Sequence, residues 1–364
     1  MKNLKTQGFV LLDTDVAALN NSGKDTQSNY DNAVATKKIM KGRNTHVYVS
    51  GQAWRYWWRQ TLQKDCDWNM SPVERTRDVA FTEANPLQYA DDDVFGYMRA
   101  TKDDDVDPAT GQTKLDKKGN PVKVDATVTR VSPLKNSALI SVGSVQTAHS
   151  WSVMSRMDGN PVPYVKEEYG TVLKGMFSID LQQVGTFATY NRTGFKNLTA
   201  SLQQKALQNG GELVPDETMR NPKGEAQQLV RLPRPTRLQR VQDALRALKT
   251  ITGGAMQTNN YTDVTPKFIV LATLQSGNHP FGHIVRSGGL FGTETVFDKE
   301  ALSEALRDYA DQLQGTVFVG RRRGFMEEEF ADLAAWAQDF PQVRLGSVVE
   351  AIEGYCQELE QWMP

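Results

Sequence analysis

An α+β fold is what this sequence predicts, and three observations predict it. Apolar strand-like runs interleave with helix-like stretches without strict βαβ alternation. A tryptophan-rich amphipathic helix sits early in the chain, and two long polar insertions, at about 65–125 and 198–235, interrupt the pattern. At 364 residues the chain can bury a large core, in one large domain or two to three smaller ones.

Taken in order, Thr6 to Leu12 is rich in apolar residues and predicts a buried first strand. It runs into the polar, glycine-containing turn Asn20-Asn21-Ser22-Gly23-Lys24-Asp25. A short strand at Thr45 to Val49 precedes a helix from Gly51 to Gln63. Ser71-Pro72-Val73-Glu74 has the form of a helix start: a Ser cap, Pro at the first helical position and Glu three residues on. From Asp91 to Asp125 the chain is polar and broken by Pro and Gly, which predicts a projecting hairpin or loop. Strands follow at about Thr127–Val131 and Ala138–Gln146, with one or two more within Thr171–Thr189.

The second insertion, Leu198 to Pro235, lies in a stretch with no aromatic residue between Phe195 and Tyr261, so it brings few large anchors of its own. Thr236-Arg237-Leu238-Gln239 has the form of a capping box. Leu238, Val241, Leu245 and Leu248 then keep helical spacing up to Gly253-Gly254. Pro266 to Leu274 reads as a buried strand, Asp298–Leu313 and Met326–Phe340 as helices, and Val343–Leu345 as a short strand. Ser347-Val348-Val349-Glu350 opens a final capped helix.

Composition narrows the function classes. Hydrophobic content of 39% and charged content of 23% suit an ordinary soluble protein. A formal net charge of −1 means that any nucleic-acid site is a local patch. The two cysteines, Cys66 and Cys356, form no CxxC pair, which argues against a disulfide framework or a cysteine zinc site. No apolar run approaches membrane-spanning length, and Met1-Lys2-Asn3-Leu4-Lys5 leads into no signal-peptide core, so a cytoplasmic location is expected. No Walker A or GxSxG sequence is present, and no cofactor is expected.

The most informative segment is Ser50 to Gln63. At helical periodicity Trp54, Trp57, Trp58, Thr61 and Leu62 share one side, while Gln52, Arg55, Arg59 and Gln63 share another. Ser50 and Gly51 stand at the helix start, where free N–H groups and the positive end of the dipole favour an anion. Arg43 and Asn44 lie just upstream. A phosphate chain across this face would meet the helix N-terminus and then two guanidiniums. The competing reading is an amphipathic helix whose arginines are solvated or ion-paired, and the pattern alone favours it.

Five ordered blocks decide for the first reading. They are Leu19-Asn20-Asn21-Ser22-Gly23-Lys24-Asp25; Val47-Tyr48-Val49-Ser50-Gly51-Gln52-Ala53-Trp54-Arg55; Asp92-Asp93-Val94-Phe95-Gly96-Tyr97-Met98; Arg130 to Ser137; and Gly253-Gly254-Ala255 followed by Thr265 to Val270. In this order the chain resembles the DevR-like backbone subunits of type I-B CRISPR interference (Cascade) complexes, within the RAMP superfamily. The resemblance implies a single right-hand-shaped domain over 1–364, with an RRM-like (ferredoxin-like) palm, fingers at 65–125 and a thumb at 198–235. It also implies a non-catalytic protein whose copies line up along a CRISPR guide RNA beside other Cascade subunits and present the guide for pairing with a target DNA strand. The RNA-facing positions it implies are Lys24, Arg43, Asn44, Ser50, Gln52, Arg55 and Arg59, with Ser144, Gln146, Gly253, Gly254 and Met256. Arg231, Arg234 and Arg237 are the thumb candidates, their alternative being a solvated proline-rich linker. The aromatic signatures with which RRM sheets stack bases are absent, so backbone gripping is expected to dominate.

Other readings are weaker. His279 and His283 are separated by Pro280-Phe281-Gly282, which disfavours a helical metal pair. Asp91–Asp93 and Asp103–Asp105 do not follow a calcium-loop pattern and read as solvated loop charges. Type III relatives cut RNA with an early-loop aspartate, but no catalysis is assigned to Asp25. Two alternatives from other classes remain: a guide-processing endoribonuclease using His46 or a nearby tyrosine, and a regulator binding duplex DNA.

Overall fold

The computed structural model describes residues 3–24, 32–76, 79–105, 112–155, 158–192 and 196–364; Asp25 lies outside the described residues. The elements that position the site are, in chain order, β1 (Lys5–Ala17), β2 (Lys38–Lys41), β3 (Asn44–Val49), α1 (Gly51–Asp65), α2 (Ala90–Phe95), β4 (Tyr97–Asp104), β5 (Lys123–Arg130), β6 (Leu139–Ser141) and β7 (Val162–Asp180). They continue with α3 (Ala200–Gln208), β8 (Glu212–Arg220), β9 (Ala226–Arg231), α4 (Arg234–Arg246), β10 (Phe268–Leu274), α5 (Lys299–Asp308), β11 (Leu313–Arg321), β12 (Val343–Gly346) and α6 (Val348–Trp362).

One large mixed sheet runs in the order β12-β11-β10-β1-β7-β6-β3-β2, and the α+β class is as expected. β1 lies between β10 and β7 and is antiparallel to both. Its apolar run does not alternate with polar residues because both faces are covered. Val10 and Leu12 join a core with Trp54, Trp57 and Trp58 of α1, Val241 and Leu245 of α4, and Ile352 and Tyr355 of α6. Phe9 and Leu11 join a second core, on the other face, with Phe268, Phe281, Phe297 and Leu302. At Gly8 the sheet admits no side chain, because a Cβ there would lie 2.1 Å from the Phe177 ring. That ring in turn meets Trp58 edge-on at 5.1 Å. Truncating any of these buried aromatics would cost about 3–5 kcal/mol.

The two insertions have structure of their own. The first carries α2 and an antiparallel β4–β5 hairpin, as expected of a projecting hairpin. The second carries α3 and the β8–β9 hairpin, joined by a short strand Thr186–Ala188. Its small core holds Leu198, Ala206, Val230 and Leu232 around Phe187, an aromatic residue from outside the insertion.

Several local expectations are corrected. Ser71 starts no helix: its N–H donates to Asp91, its hydroxyl accepts from Glu83 N–H, and the chain continues into a strand at Glu74–Thr76. The α4 cap is Pro233, not Thr236, with no side-chain cap bond, because Pro235 already presets the first turn. Of the strand expected at Ala138–Gln146 only β6 forms; at Gly143 the chain passes so close to Thr293 that a Cβ would lie 2.1 Å from its carbonyl oxygen. The Met326–Phe340 helix shrinks to Leu333–Trp336 and a 3-10 turn at Ala337–Asp339, with Met326 itself at φ +49°. The final helix has the full reciprocal capping box at Ser347 and Glu350.

Candidate nucleic-acid interface

α1 forms where the spacing places it. Ser50 caps it, its hydroxyl accepting from Ala53 N–H at 3.3 Å, and Trp54, Trp57, Trp58, Thr61 and Leu62 are buried. The opposite side is not the open cationic face the sequence suggested. Arg55 donates through Nη1 to Leu134 O (2.8 Å) and Asn136 Oδ1 (2.9 Å), and through Nη2 to Phe95 O (3.0 Å) and Ser132 Oγ (2.9 Å). Its guanidinium also lies 5.0 Å above the Phe95 ring. Burial, and then repulsion from Arg59, push the Arg55 pKa down to about 10, so it stays charged at neutral pH. Arg59 pairs with Asp91 at 2.7 Å. Both arginines therefore clamp the first insertion onto α1. Periodicity showed that they share a face; it could not show that α2 covers that face.

α2 is the centre of this clamp, and its aspartates are not solvated loop charges. Asp91, Asp92 and Asp93 are 2%, 1% and 0% exposed. Asp91 binds Arg59 and Ser71 N–H, and Asp92 accepts from Asn85 N–H at 2.8 Å. Burial raises the Asp92 pKa. Asp93 bridges Arg130 (2.6 Å) and Arg240 (2.7 Å) and accepts from Gly185 N–H at 2.8 Å. Three adjacent carboxylates thus join α1, β5, α4 and the entry to the second insertion.

The thumb arginines are also engaged within the fold. Arg234 donates to Met363 O (3.1 Å) and to Glu360 O, while Arg237 donates to Leu232 O (2.9 Å) and to Pro364 O. The bonds from Arg234, and the one from Arg237 to Pro364, satisfy carbonyls in the last turn of α6 and just past it, where the helix dipole favours cations. Arg237 is buried, and burial followed by repulsion from Arg231 lowers its pKa to about 10. Arg231 ends β9, half-buried, with its pKa also lowered by burial. Neither Arg234 nor Arg237 lies on a solvated linker.

The remaining expected positions fall into two groups at opposite ends of β3. At its C-terminal end, Asn20 is the junction: its Oδ1 accepts from Ser50 N–H (2.8 Å) and its carbonyl from Lys37 N–H (2.9 Å). Leu19 O accepts from Ala255 N–H at 2.9 Å, which brings the Gly253-Gly254 loop to the same rim. These glycines do not cap a helix. A Cβ on Gly253 would lie 2.2 Å from the Trp57 ring, and one on Gly254 2.5 Å from Leu19, so the backbone lies directly on α1's indole layer. Met256, at φ +59°, follows in the same loop, and Gln52 is exposed on the first turn of α1. Lys24 is exposed at the end of a strand, Asn21–Lys24, that pairs with Ala33–Thr36.

At the other end, Arg43 is exposed in the β2–β3 turn and Asn44 is exposed as the first residue of β3. Ser144 is held there, donating its N–H to Gly292 O (2.8 Å) and its hydroxyl to Thr45 O (3.3 Å). Ser144 and Gln146 line an open cleft of about 730 Å³ that also holds Asp13, Glu294, Glu327, Glu328 and Glu329. A cleft carrying these carboxylates disfavours phosphate.

Joining the two ends is a feature the sequence reading missed. The segment Lys37-Lys38-Ile39-Met40-Lys41-Gly42-Arg43 carries four cations in seven residues. Its residues Lys38–Lys41 form β2, the edge of the main sheet, exposed along its length. Lys38 pairs with the buried Glu167. Lys37, Lys41 and Arg43 have no carboxylate partner among the described residues. The run of cations was the available signal.

Of the histidines weighed as catalytic or metal candidates, His46 and His279 are bonded within the fold. His46 is 4% exposed, its Nδ1 held 2.9 Å from Ser141 O. His279 holds Gly8 O at 2.9 Å through Nε2, and burial lowers its pKa. No group of three metal-ligating side chains occurs among the described residues. Among the same residues, no helix is long and apolar enough to cross a membrane.

Comparison with known proteins completes the picture. A chain described as a CRISPR RNA-guided surveillance complex is similar at 10% identity and TM-score 0.47, over 98% of this chain and 99% of that one. A second, described as a CRISPR RNA-guided surveillance complex, pre-nicking, is similar at 9% identity and TM-score 0.52, over 97% and 99%, and shares the overall fold. A search of curated proteins returns no match. Residues 11–285 match the family described as CRISPR-associated negative auto-regulator DevR/Csa2. With most of its length in that match, the chain belongs to the CRISPR-associated DevR/Csa2 family.

Proposed function

We propose that this chain is a non-catalytic backbone subunit of a type I-B Cascade complex, of the RAMP superfamily, that grips CRISPR guide RNA along the β2 edge. One observation carries the reading: along a surface edge strand and its flanks, Lys37, Lys41 and Arg43 stand exposed or half-exposed without carboxylate partners among the described residues, in a protein of near-neutral net charge. Such a ribbon neutralises phosphates without reading bases, which suits a subunit that must accept any guide sequence. It leaves the Watson–Crick edges free for a target DNA strand.

The palm fits this role. β1, α1, β6, β7, α4 and β10 follow one another as β-α-β-β-α-β, and the four strands lie in the order β10-β1-β7-β6. That order supports reading the palm as ferredoxin-like, RRM-like. The insertions at 65–125 and 198–235 are then fingers and thumb, and neighbouring copies and other Cascade subunits are the partners. The shared fold of the surveillance-complex chain with TM-score 0.52 is consistent with this reading. The endoribonuclease alternative is less favoured because the His46 imidazole is sealed against Ser141.

Co-expression with a guide transcript, followed by electron microscopy, tests the proposal. Regularly stacked copies on intact RNA are expected, and deletion of 205–230 is expected to leave folded monomers that stack irregularly. Protein recovered without RNA, or repeat RNA cut by the purified chain, would refute it.

A further inference from the structure

We propose that Phe291 and Tyr261 are stacking posts for unpaired nucleobases, one at each end of the cationic β2 edge. The inference rests on the RNA-binding reading above and adds to it a second kind of contact.

The two aromatics are 78% and 91% exposed, and Leu290 beside Phe291 is 91% exposed. An exposed apolar side chain on a loose loop would mean little, but these are held. Phe291 sits in a turn between Gly289 (φ +74°) and Gly292 (φ +66°), at the tip of a hairpin pairing Val285–Gly288 with Glu294–Phe297. The Gly292 carbonyl accepts from Ser144 N–H at 2.8 Å, and the Cβ position of Gly292 lies 3.7 Å from Asn44 Nδ2. The tip is therefore seated against the residue that follows Arg43. Tyr261 is pinned in the left-handed region at φ +47°, an unusual conformation for a residue with a side chain. Its neighbour Asn260 bonds Lys166 Nζ (3.3 Å) and Glu168 (3.1 Å), and Lys166 pairs in register with Val34, on the strand that leads into Lys37. Thr262 Oγ1 anchors the other side of Tyr261 to Val16 O.

Both rings thus stand on firm backbone, gain nothing from the fold, and flank a strand of six residues, Asn44–Val49, which spans about 20 Å. Lys37, Lys41 and Arg43 lie between them. Charge selects the occupant. A protein partner covering two aromatic posts would have to place carboxylates against those cations, whereas a single-stranded nucleic acid supplies phosphates and π-faces in alternation. The Glu294 carboxylate lies against Gly289 at the base of the Phe291 turn and repels phosphate there. Stacking on loop aromatics also accounts for base contacts in a sheet without aromatic RNA-binding signatures, and it tolerates any sequence.

Fluorescence anisotropy with the full chain and a mixed-sequence single-stranded RNA tests this, beside a matched strand carrying abasic sites. The Phe291→Ala/Tyr261→Ala variant should bind the normal strand at least about thirty-fold more weakly, with the salt slope unchanged. Tyr261→Phe should bind as the wild type does, and the wild type should lose affinity on the abasic strand. The inference fails if the double variant matches the wild type on normal RNA while replacement of Lys37, Lys41 and Arg43 weakens binding. It fails equally if the alanine variant changes oligomeric state in sedimentation without RNA, since the posts would then be protein contacts. A wild type that binds no RNA would overturn the functional reading itself.

Discussion

Two sets of cations in this molecule came from similar-looking sequence and have opposite fates. Arg55 and Arg59 lie on a regular helix and are held by Asn136, Ser132, the Leu134 and Phe95 carbonyls, and Asp91. Lys41 lies on a short edge strand with Lys37 just before it and Arg43 in the turn after it, and none of the three has a carboxylate beside it among the described residues. Helical spacing made the first set conspicuous, yet spacing reports only which side chains point together. What decides availability is the inventory of partners. A guanidinium with four protein acceptors has little left for phosphate, while an exposed ammonium without a carboxylate still has all its donors.

Substitutions can separate these fates, the largest effects falling where cations are most engaged. Asp93→Ala would leave Arg130 and Arg240 buried without their shared carboxylate and should cost about 3–5 kcal/mol in urea denaturation. A loss under 1 kcal/mol would mean that the α2 hub is not what joins the insertions to the palm. Arg55→Ala should cost about 2–3 kcal/mol, because several buried acceptors lose their donor. Arg237→Ala should cost about 1–2 kcal/mol and loosen the end of α6, which hydrogen exchange at the last turn would register. Alanine at Lys37, Lys41 or Arg43 should change stability by no more than about 0.5 kcal/mol each. Exposed lysines on an edge strand also discourage sheet-to-sheet pairing, so a ribbon variant that aggregates while keeping full RNA affinity would favour that protective role.

Much of the scaffold was legible in the sequence, for physical reasons that particular residues show. The first strand, α1 and α6 have strong local signals: a continuous apolar run, an indole stripe behind a Ser cap, and a Ser–Glu capping box. Where local chemistry misled, a distant group had claimed the residue. The helix-start pattern at Ser71 yields to Asp91, and the strand expected to reach Gln146 ends because Gly143 presses on Thr293. The candidate site was harder to read. Arg43, Asn44, Ser50 and Gly253-Gly254 do gather along β3, but the aspartates of α2 read as polar loop charges because nothing in their spacing reveals that Arg59, Arg130 and Arg240 converge on them. The cations of β2 were visible as a run, yet only the sheet order shows that they form an open edge.

The most direct test of the account is the salt dependence of binding to one single-stranded RNA. The wild type should be compared with the Lys37→Ala/Lys41→Ala/Arg43→Ala variant and with Arg59→Ala. Each neutralised phosphate contributes roughly 0.7 to the slope of log affinity against log salt, so the triple variant should be flatter by about two units while Arg59→Ala keeps the wild-type slope. An unchanged slope in the triple variant, with a flattened one for Arg59→Ala, would return the RNA to the α1 face and contradict the account.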